Sequence, residues 1–251
     1  MAVLITRPGE KGKHLAEMLN KVGIATLHLP FFSIIAGREL NDLPLKFKQL
    51  NQGDYVLAVS HNAIEYANQT LRNAGFHWRS DLYYFAVGQT TAEYFASKIE
   101  QAVQYPYLQE NSEGLLTLTA MQQLKGKHIF ILRGNGGREY FSEQAILRGA
   151  TLEKIECYQR QPIHYDNIEQ TSICKRAGID RIVVTSLELL NALFDFVPEN
   201  ERGWLLNCQL ITVSQRIANI ATQMGWQSNN VIIAPRADNT SLLNTILQFT
   251  P

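Results

Sequence analysis

Small, hydroxylated and basic residues recur directly after the apolar runs of this chain. Thr6-Arg7-Pro8-Gly9 follows the first run, then Ser60-His61-Asn62, Gly88-Gln89-Thr90-Thr91 and Arg133-Gly134-Asn135-Gly136-Gly137-Arg138. Later come Thr185-Ser186, Ser214-Gln215-Arg216 and Pro235-Arg236-Ala237-Asp238-Asn239. If each apolar run is a strand and a helix starts after it, free backbone N–H groups and the helix dipole make these places anion sites. Five arginines, Arg7, Arg133, Arg138, Arg216 and Arg236, stand at the same ends. A guanidinium meets a carboxylate through a two-pronged fork. Taken singly, the Ser, Thr and Asn residues are expected to be helix caps, as they are in most proteins. Taken together with the arginines, they describe an anion-binding cleft.

Other chemistries leave no trace. Gly134-Asn135-Gly136-Gly137 starts like a dinucleotide-binding loop, but Glu139 stands where the third glycine would be, so a tight strand-to-helix turn is the expectation. There is no GK[ST] loop, no HExxH and no GxSxG elbow. The histidines, His14, His28, His61, His77, His128 and His164, have no zinc spacing with the cysteines, so neither metal nor cofactor is expected. What remains is binding, or chemistry run by acid help and positioning. Tyr158 invites attention here. Its counterpart in the repeat described below is Phe32, so one copy has a phenol where the other has a plain ring. Two readings stand: a hydroxyl with a task, or a tyrosine packed on the sheet with its tip wet.

Bulk properties narrow the class. The 251 residues are 45% hydrophobic, 10% aromatic and 18% charged, which fits a globular chain with one large domain or two ordinary ones. Lys plus Arg and Asp plus Glu both count 23, so a general nucleic-acid binder is not expected. Cys157, Cys174 and Cys208 are odd in number and widely spaced, which suits a reducing cytoplasm. No signal-peptide run and no membrane span is visible.

The elements that must position these residues repeat. Val3–Arg7 aligns with Ile129–Arg133, Asp54–Ser60 with Asp180–Ser186, and Ala86–Gln89 with Thr212–Gln215, each 126 positions apart without a gap. The chain reads as a duplicated unit. Strands are expected at 3–6, 55–59, 83–87, 129–132, 181–185, 210–213 and 231–234. Helices are expected near 9–22, 62–74, 89–100, 137–148, 187–196, 215–224 and 238–248. This alternation means an α/β fold, a mostly parallel sheet with helices on both faces. Ligands bind such sheets beyond the carboxyl ends of the strands. Two long, extended, proline-interrupted segments break the rhythm at equivalent places, Ala25–Ala36 and Thr151–His164. They read either as connectors between lobes or as long sheet strands.

LITRP at the start, LRGNGGRE followed by RGA, IECYQR, VVTS and ADN-SLL near the end together resemble the uroporphyrinogen-III synthase family, from residue 3 to about 247. The specificity lies in the order of these blocks, and IECYQR after LRGNGGRE is the strongest of them. The resemblance implies two flavodoxin-like α/β lobes joined by a two-stranded β-ladder. One lobe would be discontinuous, 1–35 with 165–251, and the other would span 37–160. The ladder would be about 25–36 and 151–164.

The resemblance also implies a cofactor-free, cyclising hydro-lyase. Its substrate would be hydroxymethylbilane, a linear tetrapyrrole with eight carboxylates. Loss of the terminal hydroxyl gives an azafulvene; the last ring attacks through its substituted position; a spiro intermediate forms and breaks; and the ring recloses flipped as uroporphyrinogen III. Tyr158 matches the family tyrosine suspected of assisting hydroxyl loss. The resemblance implies that strand-end Thr and Ser residues and the amides of both lobes hold the carboxylates; with the strand-end reading above, the candidate substrate binders are Arg7, Ser60, Asn62, Gly88, Gln89, Thr90, Arg133, Gly134, Arg138, Thr185, Ser186, Ser214, Gln215 and Arg216. Where the family often has Gly-Pro-Thr-Thr-Ala, this chain has Ser214-Gln215-Arg216-Ile217-Ala218, so the family's threonine roles are not carried to these positions. The expected setting is a cytoplasmic monomer with a transient contact to the preceding pathway enzyme and no nucleic-acid or membrane partner. The rival readings are a two-lobed small-anion binding or sensor protein without turnover and a nucleotide-sugar transferase.

Overall fold

The computed structural model describes residues 1–249. Its strands, in chain order, are β1 (Ala2–Ile5), β2 (Ala25–His28), β3 (Phe32–Ala36), β4 (Tyr55–Ala58), β5 (Tyr83–Ala86), β6 (Val103–Gln104), β7 (His128–Gly134), β8 (Thr151–Pro162), β9 (Ile179–Val183), β10 (Gln209–Thr212) and β11 (Val231–Ile233). The chain forms two compact units. The first holds Met1–Ile34 and the chain from Gln161 onward; the second is the continuous segment Ile35–Arg160.

In the first unit the sheet order is β2-β1-β9-β10-β11, and every pairing is parallel. In the second it is β3-β8-β7-β4-β5-β6, parallel from β8 to β6. Superposing the repeat, β1 answers to β7, β2 to β8, β9 to β4, β10 to β5 and β11 to β6, so both sheets have the same flavodoxin-like order. The units are therefore not the halves of the duplication. Each borrows across the repeat boundary.

Strands covered on both faces should be continuously apolar, and β1 (Ala-Val-Leu-Ile) and β4 (Tyr-Val-Leu-Ala) are buried at every position. In the first unit Val3 and Ile5 pack with Leu15, Leu19, Leu242 and Ile246 of helices Gly9–Lys21 and Asn239–Gln248. Leu4, Ile182 and Leu210 pack on the other face with Leu190, Leu193 and Trp226. In the second, Leu57, Phe85 and Ile131 meet Leu115, Leu124 and Phe141. The opposite face holds a ring cluster of Phe47, Trp78, Tyr84 and Phe95.

The two proline-interrupted segments behave differently. Ala25–Ala36 is not one strand: Pro30 lacks an N–H to donate, and the chain breaks there into β2, which joins β1, and β3, which joins β8. The position equivalent to Pro30 is Glu156, and β8 runs unbroken for 12 residues. β3 and β8 are antiparallel: the Ile163 N–H donates to the Phe31 carbonyl (2.9 Å) and the Gly37 N–H to the Cys157 carbonyl (3.0 Å). The chain passes between units inside this pair of strands.

The helix expected from 137 begins instead at Tyr140, because Gly136 and Gly137 have φ of 139° and 118°, outside any helix. The short β6 and the helix Asn167–Arg176 carry weak apolar periodicity, with only Thr171 and Cys174 buried in the latter, and escape sequence reading. Among the described residues no helix is long and apolar enough to cross a membrane.

Gly37 lies against β8 so closely that a Cβ would stand 1.8 Å from the Glu156 carbonyl oxygen. Backbone cannot yield as a side chain does. Gly37→Ala is expected to destabilise the protein at or above the upper end of the ~1–3 kcal/mol typical of overpacking. Urea denaturation checks this; an unchanged midpoint would show that the strand pair gives way freely.

Candidate functional site

The candidate residues of the second unit gather where β7, β4 and β5, neighbours in the sheet, end. Ser60 caps helix His61–Asn73: its backbone is extended and its Oγ accepts from the Ala63 N–H at 3.3 Å. The same Oγ lies 3.3 Å from the Tyr158 hydroxyl. Tyr158 is buried, 4% exposed. Its ring lies flat on Gly134, where a Cβ would approach Tyr158 Cζ to 2.6 Å. A register shift in the β7–β8 pairing sets this up: Arg133 faces Glu156, but Gly134 faces Tyr158, so Cys157 is the extra residue of a bulge. Asn135 fastens the arrangement. Its N–H donates to the Tyr158 carbonyl (3.1 Å), and its side chain accepts from the Arg160 N–H (2.7 Å). Nothing in the sequence marked the Ser60–Tyr158 pairing, and Asn135 was hidden in a loop read only for its glycines.

Alternation along β7 puts Arg133 on the face opposite Gly134, with Ile131. A cavity of about 260 Å³ opens on that face. Leu57, Val59, Val87, Ile131 and Phe141 make its apolar wall; Arg133, Arg138, Asn111 and Ser112 supply polar groups. Both arginines have acceptors within the unit. Arg133 donates to Glu139 (2.7 Å), which Lys154 also contacts, and Arg138 makes two hydrogen bonds to Glu113 (3.1 and 2.6 Å). Lys154 first, and then Arg133, hold the Glu139 carboxyl below its ordinary range. Gly88 precedes helix Gln89–Ile99, and a Cβ there would strike the Glu110 carboxylate at 2.1 Å. Gln89 bonds Glu93 on its own helix (2.8 Å), Thr90 is exposed, and Asn62 is half-buried.

In the first unit the remaining candidates gather at the ends of β1, β9 and β10, again sheet neighbours. Ser186 and Ser214 are caps, accepting from the Leu189 and Ile217 N–H groups. Thr185 is half-buried; Gln215 and Arg216 are exposed, and Gln215 bonds Asn219 (2.8 Å). Arg7 is 8% exposed and donates to Asn239 at 2.6 Å. Its carbonyl accepts from His28 Nε2 (2.8 Å), and the close approach needs Gly12, where a Cβ would meet that carbonyl at 2.1 Å. Burial holds the Arg7 guanidinium below its ordinary value, partly offset by Asp238. Arg236 pairs with Asp238 (3.0 Å).

Among the candidates are thus three capping serines, Arg7, Arg133 and Arg138 engaged within their own units, exposed Arg216, and one buried phenol. All three cysteines are free and buried. Burial pushes the Cys157 and Cys208 thiols up to about 12 and Cys174 up to about 11. None of them is a thiolate at neutral pH, so they are core residues and not nucleophiles.

Two flavodoxin-like units with hydroxyls, helix N-termini and arginines at their strand ends, and a phenol wedged on glycine, have the architecture of an α/β enzyme. The family model described as uroporphyrinogen-III synthase HemD matches residues 13–244. The chain is 39% identical over 247 residues to the uroporphyrinogen-III synthase of Salmonella typhimurium, covering 98% of this chain and 100% of that one. It is 37% identical to that of Escherichia coli with the same coverage. Solved uroporphyrinogen III synthases share the fold. One from Thermus thermophilus has a TM-score of 0.68 at 14% identity, and one from Helicobacter pylori 0.60 at 14%, each covering 99% of both chains. The chain belongs to the uroporphyrinogen-III synthase family, whose members are lyases of porphyrin biosynthesis.

Two measurements follow from this geometry. Because Arg7 is engaged by Asn239 in its own unit, Arg7→Ala should cost roughly 1–3 kcal/mol of stability and leave the Michaelis constant nearly unchanged; thermal melts beside kinetics check it. For the thiols, the unfolded chain releases its protons near the ordinary 9.0 while the folded chain keeps them to about 11 or 12. Between those values the unfolded state binds fewer protons, so stability falls as pH rises above about 9. Melting temperature should decline over that range, and alkylation of the native protein should be slow and limited by unfolding.

Proposed function

We propose that the enzyme closes hydroxymethylbilane to uroporphyrinogen III with Tyr158 as the acid that assists loss of the terminal hydroxyl. The observation that carries this is the placement of Tyr158, the family's matching tyrosine: a buried phenol held at a sheet's functional end by Gly134, Asn135 and the Cys157 bulge. A phenol has one hydrogen to give. Passed to the departing hydroxyl, it leaves as water, and the methylene carbon becomes an electrophilic azafulvene. The substituted carbon of the last ring attacks it, the spiro intermediate breaks, and the ring recloses inverted. The ring proton lost on rearomatisation balances the one the phenol gave.

The cavity of the second unit suits a pyrrole ring: its wall is apolar and its edge carries Arg133 and Arg138. In this reading a substrate carboxylate replaces Glu139 on Arg133 or Glu113 on Arg138. Both acids are partly exposed, so the exchange costs little. The backbone amides after Ser60, Gly88, Ser186 and Ser214, with Asn62, Gln89, Thr90, Thr185, Gln215 and Arg216 beside them, hold further carboxylates. Arg7 serves the scaffold of the first unit. The same reading takes the chain as a cytoplasmic monomer that receives the bilane by transient contact with the preceding enzyme.

The bilane cyclises unaided to the type I isomer, so the ratio of type III to type I product isolates the enzyme's contribution, and a binding or sensor protein would leave that ratio alone. Tyr158→Phe is expected to lower turnover about tenfold to a hundredfold, the low end of general-acid help, because the pyrrole methylene already ionises readily. The product should remain type III, since positioning chooses the attacking carbon. Stability should change by no more than about 1 kcal/mol, one hydrogen bond's worth. Wild-type turnover in this variant would show the hydroxyl to be a bystander.

A further inference from the structure

We infer that Ser60 is a positioning residue for the Tyr158 proton, not a carboxylate binder. The inference rests on the reading of Tyr158 as the acid. A serine hydroxyl has one hydrogen and two lone pairs. The Ala63 N–H takes a lone pair of Ser60 Oγ as the helix cap (3.3 Å). The Ser60 hydrogen is then directed at Tyr158 Oη, 3.3 Å away. A phenol oxygen that accepts this bond keeps its own hydrogen for a different acceptor. Ser60 therefore keeps the Tyr158 proton from being donated to the serine and leaves it for another acceptor at the end of the sheet. Without that bond the phenol would be at liberty to spend its proton on the serine.

The other degrees of freedom are already removed. The ring is pressed on Gly134, and the Tyr158 carbonyl is fastened by the Asn135 N–H. Rotation of the hydroxyl about its C–O bond remains, and Ser60 Oγ lies within hydrogen-bond reach of it. The duplication sharpens the point. Ser186 is the repeat counterpart of Ser60 and caps its helix in the same way, but the counterpart of Tyr158 is Phe32. A capping serine is common to both copies; a phenol beside it belongs to one.

The test separates the cap from the proton. Ser60→Ala should lower the melting temperature and lower kcat about tenfold with little change in KM. Ser60→Thr, which keeps both lone pair and hydrogen, should restore both. Ser60→Asp caps the helix but has no hydrogen to give and captures the phenol's, so it should melt near the wild type and turn over as slowly as Ser60→Ala. In a Tyr158→Phe background, Ser60→Ala should lower the melting temperature as before and lower kcat no further. An equal kcat loss in both backgrounds, a rise in KM alone, or wild-type turnover in Ser60→Asp would overturn the positioning role while leaving Tyr158 as the acid. Full turnover in Tyr158→Phe itself would instead remove the acid reading on which it stands.

Discussion

The absence of a side chain at residue 134 governs the functional end of the second unit. With hydrogen at that position the Tyr158 ring lies directly on the β7 backbone; a methyl group would overlap it. That contact requires the Cys157 bulge, which shifts β8 by one residue so that Tyr158 and not Cys157 faces Gly134. The bulge in turn leaves the Cys157 thiol fully buried, where its proton is held far above the ordinary range. Ser60 and Asn135 complete what the glycine permits. One glycine, one bulge and two polar side chains thus settle the height, tilt and hydrogen-bonding of a single phenol.

Much of the architecture was legible because parallel strands buried on both faces write themselves as apolar runs. Val3–Ile5, Tyr55–Ala58 and Tyr84–Ala86 are such runs, and the serines after β4, β9 and β10 cap helices. The duplication was legible for the same reason: turn and cap residues recur at a fixed interval. The site was legible only in part. Residue type and place picked out Tyr158 and Ser60 separately, but their meeting depends on the bulge, a local register choice with no signature in residue type. Nor does residue type announce that Arg133 and Arg138 hold Glu139 and Glu113, or that Arg7 holds Asn239 from far along the chain.

Those commitments carry a physical message. A carboxylate already on Arg133 or Arg138 keeps the guanidinium oriented and lowers the cost of presenting a fixed positive charge. The Arg138–Glu113 pair is exposed on both sides and of a kind worth about 0–1 kcal/mol, whereas Arg133 is largely enclosed beside its acid. Arg7 is the opposite case: it is buried, and it joins the first strand to the last helix of its unit. Arg7 and Arg133, equivalent in the repeat, thus hold different partners.

The discontinuity of the first unit bears on how the chain is made. β1 leaves the ribosome before the other ten strands described, yet the carbonyl that receives the Thr6 hydroxyl belongs to Val183, 177 residues later. At roughly 5–20 residues per second that is a wait of about 10–35 s. Through it an entirely apolar strand has only β2 of its sheet partners beside it, while Ile35–Arg160 emerges as an unbroken segment holding β4 to β7 whole and most of β8. The second unit is thus a complete folding unit before the first has its central partner. The unit that opens the sequence is the last whose sheet is complete.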